Sequence, residues 1–190
     1  MIIATTQPAT LEDLYRVDGK AELIGGRIVH YVASGYEPSR VALEIAVSLR
    51  DYARSSGKGV AFADGIGFAI RPLLTSGRQS FSPGASYYVG PLPANRMRFV
   101  EGAPIFAVEV RSEDDYGPSA ELDMAAKRAD YFEAGTQVVW DVDPEARTVT
   151  IYRSTSPLTA ERFVDGQIAD AEPALPGWRL AVSEVFGPTT

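Results

Sequence analysis

The chain contains no cysteine and a single histidine, His30. The first absence removes disulfides, thiolate metal sites and cysteine nucleophiles. The second excludes a zinc site built on two histidines of one chain and leaves one candidate for a histidine general base. His30 falls within Arg27-Ile-Val-His-Tyr-Val, a run in which a plain strand residue is expected. Long apolar runs are also missing: none reaches the roughly 18 residues that cross a bilayer. The N-terminal MIIATTQPAT lacks the basic start and long apolar centre of a secretory leader, so a cytoplasmic protein with no membrane association is expected. Positive charge is in short supply, with 18 Lys and Arg against 25 Asp and Glu and a formal net charge of -7. That balance argues against broad electrostatic affinity for nucleic acid but leaves room for a local basic groove. No Gly-x-Ser-x-Gly elbow accompanies the serines, and Gly65-Ile-Gly67 lacks the spacing and the following helix of a phosphate loop.

What is present suits one domain over residues 1–190, long enough to bury a substantial core. The densest chemistry lies between Ile105 and Gly135. Ile105-Phe-Ala-Val is an apolar run fit for a buried strand, and the carboxylate of Glu109 stands near its end. An acidic turn follows, Glu113-Asp114-Asp115, expected to be solvated. Gly117-Pro118 then leads to Ser119, a plausible N-cap for a helix running to about Gly135. Leu122, Ala125, Ala129 and Phe132 recur at helical spacing and are expected to form its buried stripe; Met124, Lys127, Arg128 and Tyr131 fall elsewhere around it. Lys127 is one helical turn from Asp123, with which it can pair, and Tyr131 is expected to pack beside it. The next strand follows at once, Gln137-Val-Val-Trp-Asp-Val, completing a strand–helix–strand unit. Ligands collect at the carboxyl ends of strands in such units.

Elsewhere, Thr10 and Asp13 have capping-box spacing, and Gly25-Gly26 joins two strand-like runs as a hairpin whose first arm carries Glu22, expected to be exposed. Ser39 to Gly57 reads as a helix with Val41, Ile45, Leu49, Tyr52 and Ala53 on its apolar face; Arg50, Arg54 and Lys58 form a solvated stripe. Strands are expected near residues 60–63, 66–71 and 84–89, with Gly65-Gly67 in a hairpin. Asp143 to Arg147 reads as a turn, Asp165-Gly166 as a second hairpin signal, and Trp178 as core.

Taken together, TLEDLYRVDGKAELIGGRIV, SPGASYYVG, APIFAVEVRS, KRADYFEAGTQVVWDVDPEARTVTIYR and LPGWRLAVSEVFG resemble the Uma-type endonuclease family of the PD-(D/E)xK restriction-endonuclease-like superfamily. The resemblance covers nearly the whole chain. It implies an α/β (α+β) fold, a restriction-endonuclease-like mixed β-sheet flanked by helices with additional β-hairpins. It further implies a DNA endonuclease dependent on Mg2+ or Mn2+. The family's strand glutamate matches Glu109, its helical lysine Lys127 and its N-terminal glutamate Glu22, with the Val110 carbonyl as a further metal ligand. Its aspartate follows a proline, and that pair here reads Pro83-Gly84, so the acid is missing. The more usual superfamily lysine position is held by Arg111. Mg2+ commonly binds through one or two carboxylates plus waters, so metal affinity and cleavage are expected to fall. The alternative is a non-catalytic binding or assembly module that keeps the fold. A homodimer is also expected, which a monomeric mass by light scattering would remove.

Overall fold

The computed structural model describes residues 7–187, so the first six residues of the stretch read for a leader lie outside the described residues. The described chain opens with a short helix α1 (Leu11–Leu14), capped by Thr10 and Asp13 in the expected reciprocal box. A hairpin follows, β1 (Ala21–Ile24) and β2 (Arg27–His30), joined through Gly25 and Gly26, both at positive φ. Helix α2 (Tyr36–Ser56) begins three residues before the expected Ser39, because Pro38 sits in its first turn, where a proline costs no hydrogen bond. It ends at Gly57 in the left-handed conformation that its sequence predicts.

Next come β3 (Val60–Ala63), β4 (Phe68–Ala69), β5 (Ser80–Phe81), β6 (Ala85–Tyr88), β7 (Val100–Glu101) and β8 (Phe106–Val110). The helix α3 (Pro118–Glu133) crosses from β8 to β9 (Val138–Asp143). The chain then runs through β10 (Thr148–Arg153), β11 (Ser156–Phe163), β12 (Ile168–Asp170), β13 (Arg179–Ala181) and α4 (Val182–Phe186).

The main sheet has six strands in the order β11-β10-β9-β8-β6-β3. Its central pair, β8 and β9, is parallel, joined by the α3 crossover, and all its other pairs are antiparallel. β1 and β2 form a separate sheet, as do β12 and β13, while β4, β5 and β7 form a third. This is the expected mixed sheet flanked by helices with additional hairpins. Two turns read as hairpins are not. The residues around Gly65 join β3 to β4, and Asp165-Gly166 joins β11 to β12, and each pair of strands lies in different sheets. A turn signal marks a reversal, but which strand pairs with which is decided by distant parts of the chain.

The side-chain period of two along a strand splits the main sheet into unlike faces. Phe106 and Val108 of β8 and Val138, Trp140 and Val142 of β9 pack with Val41, Ile45 and Leu49 of α2, with Trp178 and with α4. Ala107 and Val139, one step out of phase, join Tyr131 of α3, Phe68, Phe81 and Tyr88. Tyr87, Tyr88, Trp140 and Trp178 are all buried. Glu109 and Asp141, which are cross-strand partners, belong to the α3-facing side by the same alternation.

Candidate active site

The buried face of α3 is not the expected stripe. Leu122 is 72% exposed, Ala125 and Ala129 are exposed, and Phe132 is half-buried. The helix turns Asp130 and Tyr131 fully inward, with Met124, Lys127 and Arg128 partly buried beside them. Its N-cap is Gly117 with Pro118 as the first helical residue, rather than Ser119, and no side chain caps it. Tyr131 lies flat on Phe81, ring centroids 4.0 Å apart and planes 15° from parallel. The stack fixes the rotation of the helix, and that rotation directs Lys127 toward the sheet.

Lys127 Nζ lies 3.0 Å from Glu109 Oε1 and 3.1 Å from Glu22 Oε1. It does not take the Asp123 pairing; its partners come from β8 and from the β1–β2 hairpin. Glu22, expected to be exposed, is completely buried. The expectation fails because a lone acid in a hairpin gives no sign that cations from α3 and from the loop before β5 enclose it. Its Oε1 also accepts from the Ser82 backbone N–H at 2.9 Å, and its Oε2 accepts from the Tyr31 hydroxyl at 3.1 Å and pairs with Arg78 Nη1. Arg78 Nε in turn donates to Asp130 at 2.8 Å, and the Tyr131 hydroxyl donates to Glu109 Oε1 at 2.6 Å. Glu22, Glu109 and Asp130 thus face Arg78 and Lys127 in one continuous network.

The electrostatics follow from this enclosure. Burial works to raise the Glu22 pKa, but the charges of Lys127 and Arg78 outweigh it and hold the carboxyl below its ordinary value. Burial disfavours the Lys127 ammonium, yet Glu109 and Glu22 raise its pKa above the ordinary lysine value. Burial and the nearby Glu109 carboxylate push the Tyr131 hydroxyl well above the usual tyrosine range. Burial and Glu22 likewise push Tyr31 up to about 12. At neutral pH both tyrosines are therefore hydrogen-bond donors.

Lys127, Glu109, Arg78 and Tyr31 line a cleft of about 690 Å3 together with Gly84 and Val110, while Glu22 and Tyr131 lie buried outside its lining. Gly84 is among the lining residues, its N–H donating to the Val108 carbonyl at 2.9 Å. A Cβ at Gly84 would meet Val108 O and Val110 Cγ2 at 3.5 Å and Ala42 Cβ at 3.8 Å, all ordinary contacts. The position therefore accepts a side chain at the wall of the cleft. Arg111, at the alternative lysine position, is committed elsewhere: its Nε and Nη2 each hold one oxygen of Asp141 at 2.8 Å, and it also pairs with Glu121. In the acidic turn, Asp115 accepts from the Ser112 N–H at 2.7 Å. His30 is an exposed strand residue.

The donor set does not fit a divalent ion as it stands. Such an ion needs carboxylate oxygens free to turn toward it, and both oxygens of Glu22 are already engaged. Glu109 Oε1 holds Lys127 and Tyr131, leaving Oε2 as its uncommitted oxygen among the described residues. No group of three or more acidic or histidine side chains stands ready to hold a metal ion among the described residues. The sequence gives no local sign that Arg78, Asp130, Tyr31 and Ser82 belong to the site. Arg78 lies in a turn-rich stretch, and nothing local marks a lone arginine there as buried.

Known proteins bear on this geometry in three ways. No curated protein matches the chain. A crystal structure from Anabaena variabilis ATCC 29413, described as "a putative nuclease belonging to DUF820", shares the fold with a TM-score of 0.73 at 19% identity, covering 94% of this chain and 98% of that one. The family described as "Putative restriction endonuclease", Uma2, matches residues 8–183. With nearly its whole described length inside that match, the chain belongs to the Uma2 family and is nuclease-like in fold and family.

Proposed function

We propose that the chain is a DNA endonuclease of the kind that uses Mg2+ or Mn2+, with phosphodiester hydrolysis impaired at Gly84. The observation that carries this reading is Lys127 at the cleft, held between Glu109, which lines it, and the fully buried Glu22, with an unfilled side-chain position at Gly84 in van der Waals range of β8. A partly buried lysine between two carboxylates is suited to steadying a phosphate or orienting a water. Glu109, through its uncommitted oxygen, is the acid best placed to serve a cation, and the Val110 carbonyl lies next to it in the chain. Glu22 acts on this reading through Lys127, since its own oxygens are taken up by protein donors. What is missing is a second carboxylate open to the cleft. The filling of Glu22 also favours the alternative of a binding or assembly module, and cleavage assays separate the two.

The test is cleavage of supercoiled and linear DNA with Mg2+ or Mn2+ by the chain, by Gly84→Asp and by Gly84→Asp carrying Glu109→Ala. Cleavage by Gly84→Asp alone is expected, at a rate about a hundredfold or more above the chain, the scale of losing a group that stabilises transition-state charge. Cleavage by the unaltered chain at the Gly84→Asp rate would remove Gly84 as the cause of impairment. No cleavage by any of the three would favour the binding module.

A further inference from the structure

The ammonium of Lys127 stands where a dication serving Glu22 and Glu109 would have to stand, 3.1 and 3.0 Å from one oxygen of each. We propose that Lys127 is the resident cation of this cleft and that, in the chain as it is, it excludes divalent metal from the two glutamates. This deepens the nuclease reading, on which it rests, by naming a second barrier to metal binding besides Gly84.

Two observations carry it. The first is occupancy. The oxygens that face Lys127 are also the ones held by the Ser82 N–H and the Tyr131 hydroxyl, 2.9 and 2.6 Å away. A metal ion approaching them must displace the ammonium and turn carboxylates already fixed by those donors and by Arg78. The second is charge. Three carboxylates, Glu22, Glu109 and Asp130, face two side-chain cations, Arg78 and Lys127, which leaves one net negative charge. A dication added beside Lys127 would reverse the sign of a site that is largely removed from water, where like charges repel most strongly. An aspartate at position 84 and removal of the Lys127 charge each take the site to two net negative charges, which a dication balances, but only the second also clears the ammonium from between the two glutamates.

The experiment is a Mn2+ titration followed by the electron paramagnetic resonance of free Mn2+, which reads binding without reference to cleavage. The unaltered chain is expected to bind no Mn2+ up to about millimolar concentration, whereas Lys127→Met, lacking the ammonium, is expected to bind about tenfold tighter or more. Lys127→Arg, which keeps the charge, is expected to behave like the unaltered chain. Sub-millimolar binding by the unaltered chain that disappears in Glu109→Gln would overturn the proposal. So would a folded Lys127→Met that binds no better than the chain. Should Lys127→Met fail to fold, Lys127→Gln takes its place, and a folded Lys127→Gln that binds Mn2+ no better than the chain overturns the proposal in the same way. The nuclease reading fails separately, if Gly84→Asp binds Mn2+ and cuts no DNA.

Discussion

At the scale of the residue, Glu22 shows how the site is held together. Buried ion pairs contribute little net stability against an apolar replacement, but removing one partner strands the others without water. Glu22→Ala leaves Arg78 with Asp130 alone and Lys127 with Glu109 alone, and should cost about 3–5 kcal/mol. The cost should depend on pH. The Glu22 pKa is held below its ordinary 4.5, so its contribution is fully present above that value and is lost as the pH falls through the folded-state pKa. Lys127 lies above its ordinary 10.5, so its contribution is fully present below 10.5 and is lost as the pH rises through the raised value. Thermal unfolding of the chain and of Glu22→Ala should therefore differ most between about pH 5 and 10, and the gap should shrink on the acid side. A gap unchanged down to about pH 2 would mean that Glu22 is not held as the carboxylate. Glu109, Lys127 and Glu22 are legible in the sequence through family resemblance. The partners that make Glu22 structural, Arg78 above all, are brought in by tertiary packing and have no local signature.

At the scale of the element, α3 is where pattern and structure part. Two alanines, a leucine and a phenylalanine at helical spacing make a thin apolar stripe. The main-sheet face that receives the helix offers the carboxylates Glu109 and Asp141, and β5 of the neighbouring small sheet offers the ring of Phe81. Lys127, Arg128 and Tyr131 complement that face, and several ion pairs with an aromatic stack outweigh the modest burial of Leu122. Where the apolar face meets an apolar surface, as in α2, the same periodicity is correct, and Val41, Ile45 and Leu49 are buried as it predicts. The contrast has a direct check by chemical denaturation. Tyr131→Ala removes the stacked ring and should cost about 3–5 kcal/mol, whereas Leu122→Ala should stay within about 0.5 kcal/mol. Equal costs would restore the apolar stripe as the packed face.

At the scale of the molecule, the six-stranded sheet separates stability from chemistry. One face carries the cleft with its ion network; the other carries an aromatic cluster in which Trp140 and Trp178 lie 5.1 Å apart and Phe106 lies 5.3 and 5.5 Å from them. That cluster ties the C-terminal segment to the sheet, where the Trp140 indole donates to the Asp170 carbonyl at 2.9 Å, and to α2, where the Trp178 indole donates to the Ser48 hydroxyl at 3.1 Å. Strand partners of this kind were the least legible feature of the sequence, because the Asp165-Gly166 turn is local whereas the pairing of β12 with β13 closes across the segment between them. The division predicts that damage on the aromatic face stays there. Trp178→Phe loses the indole hydrogen bond and part of the packing, and should lower the unfolding midpoint by several degrees, about 1–3 kcal/mol for a core change of this size. Introduced into Gly84→Asp, it should leave DNA cleavage at temperatures well below unfolding close to that of Gly84→Asp alone. A parallel fall in cleavage rate would show instead that β8 and β9, which carry Phe106 and Trp140 on one side and Glu109 and Asp141 on the other, transmit a packing change across the sheet to the carboxylates.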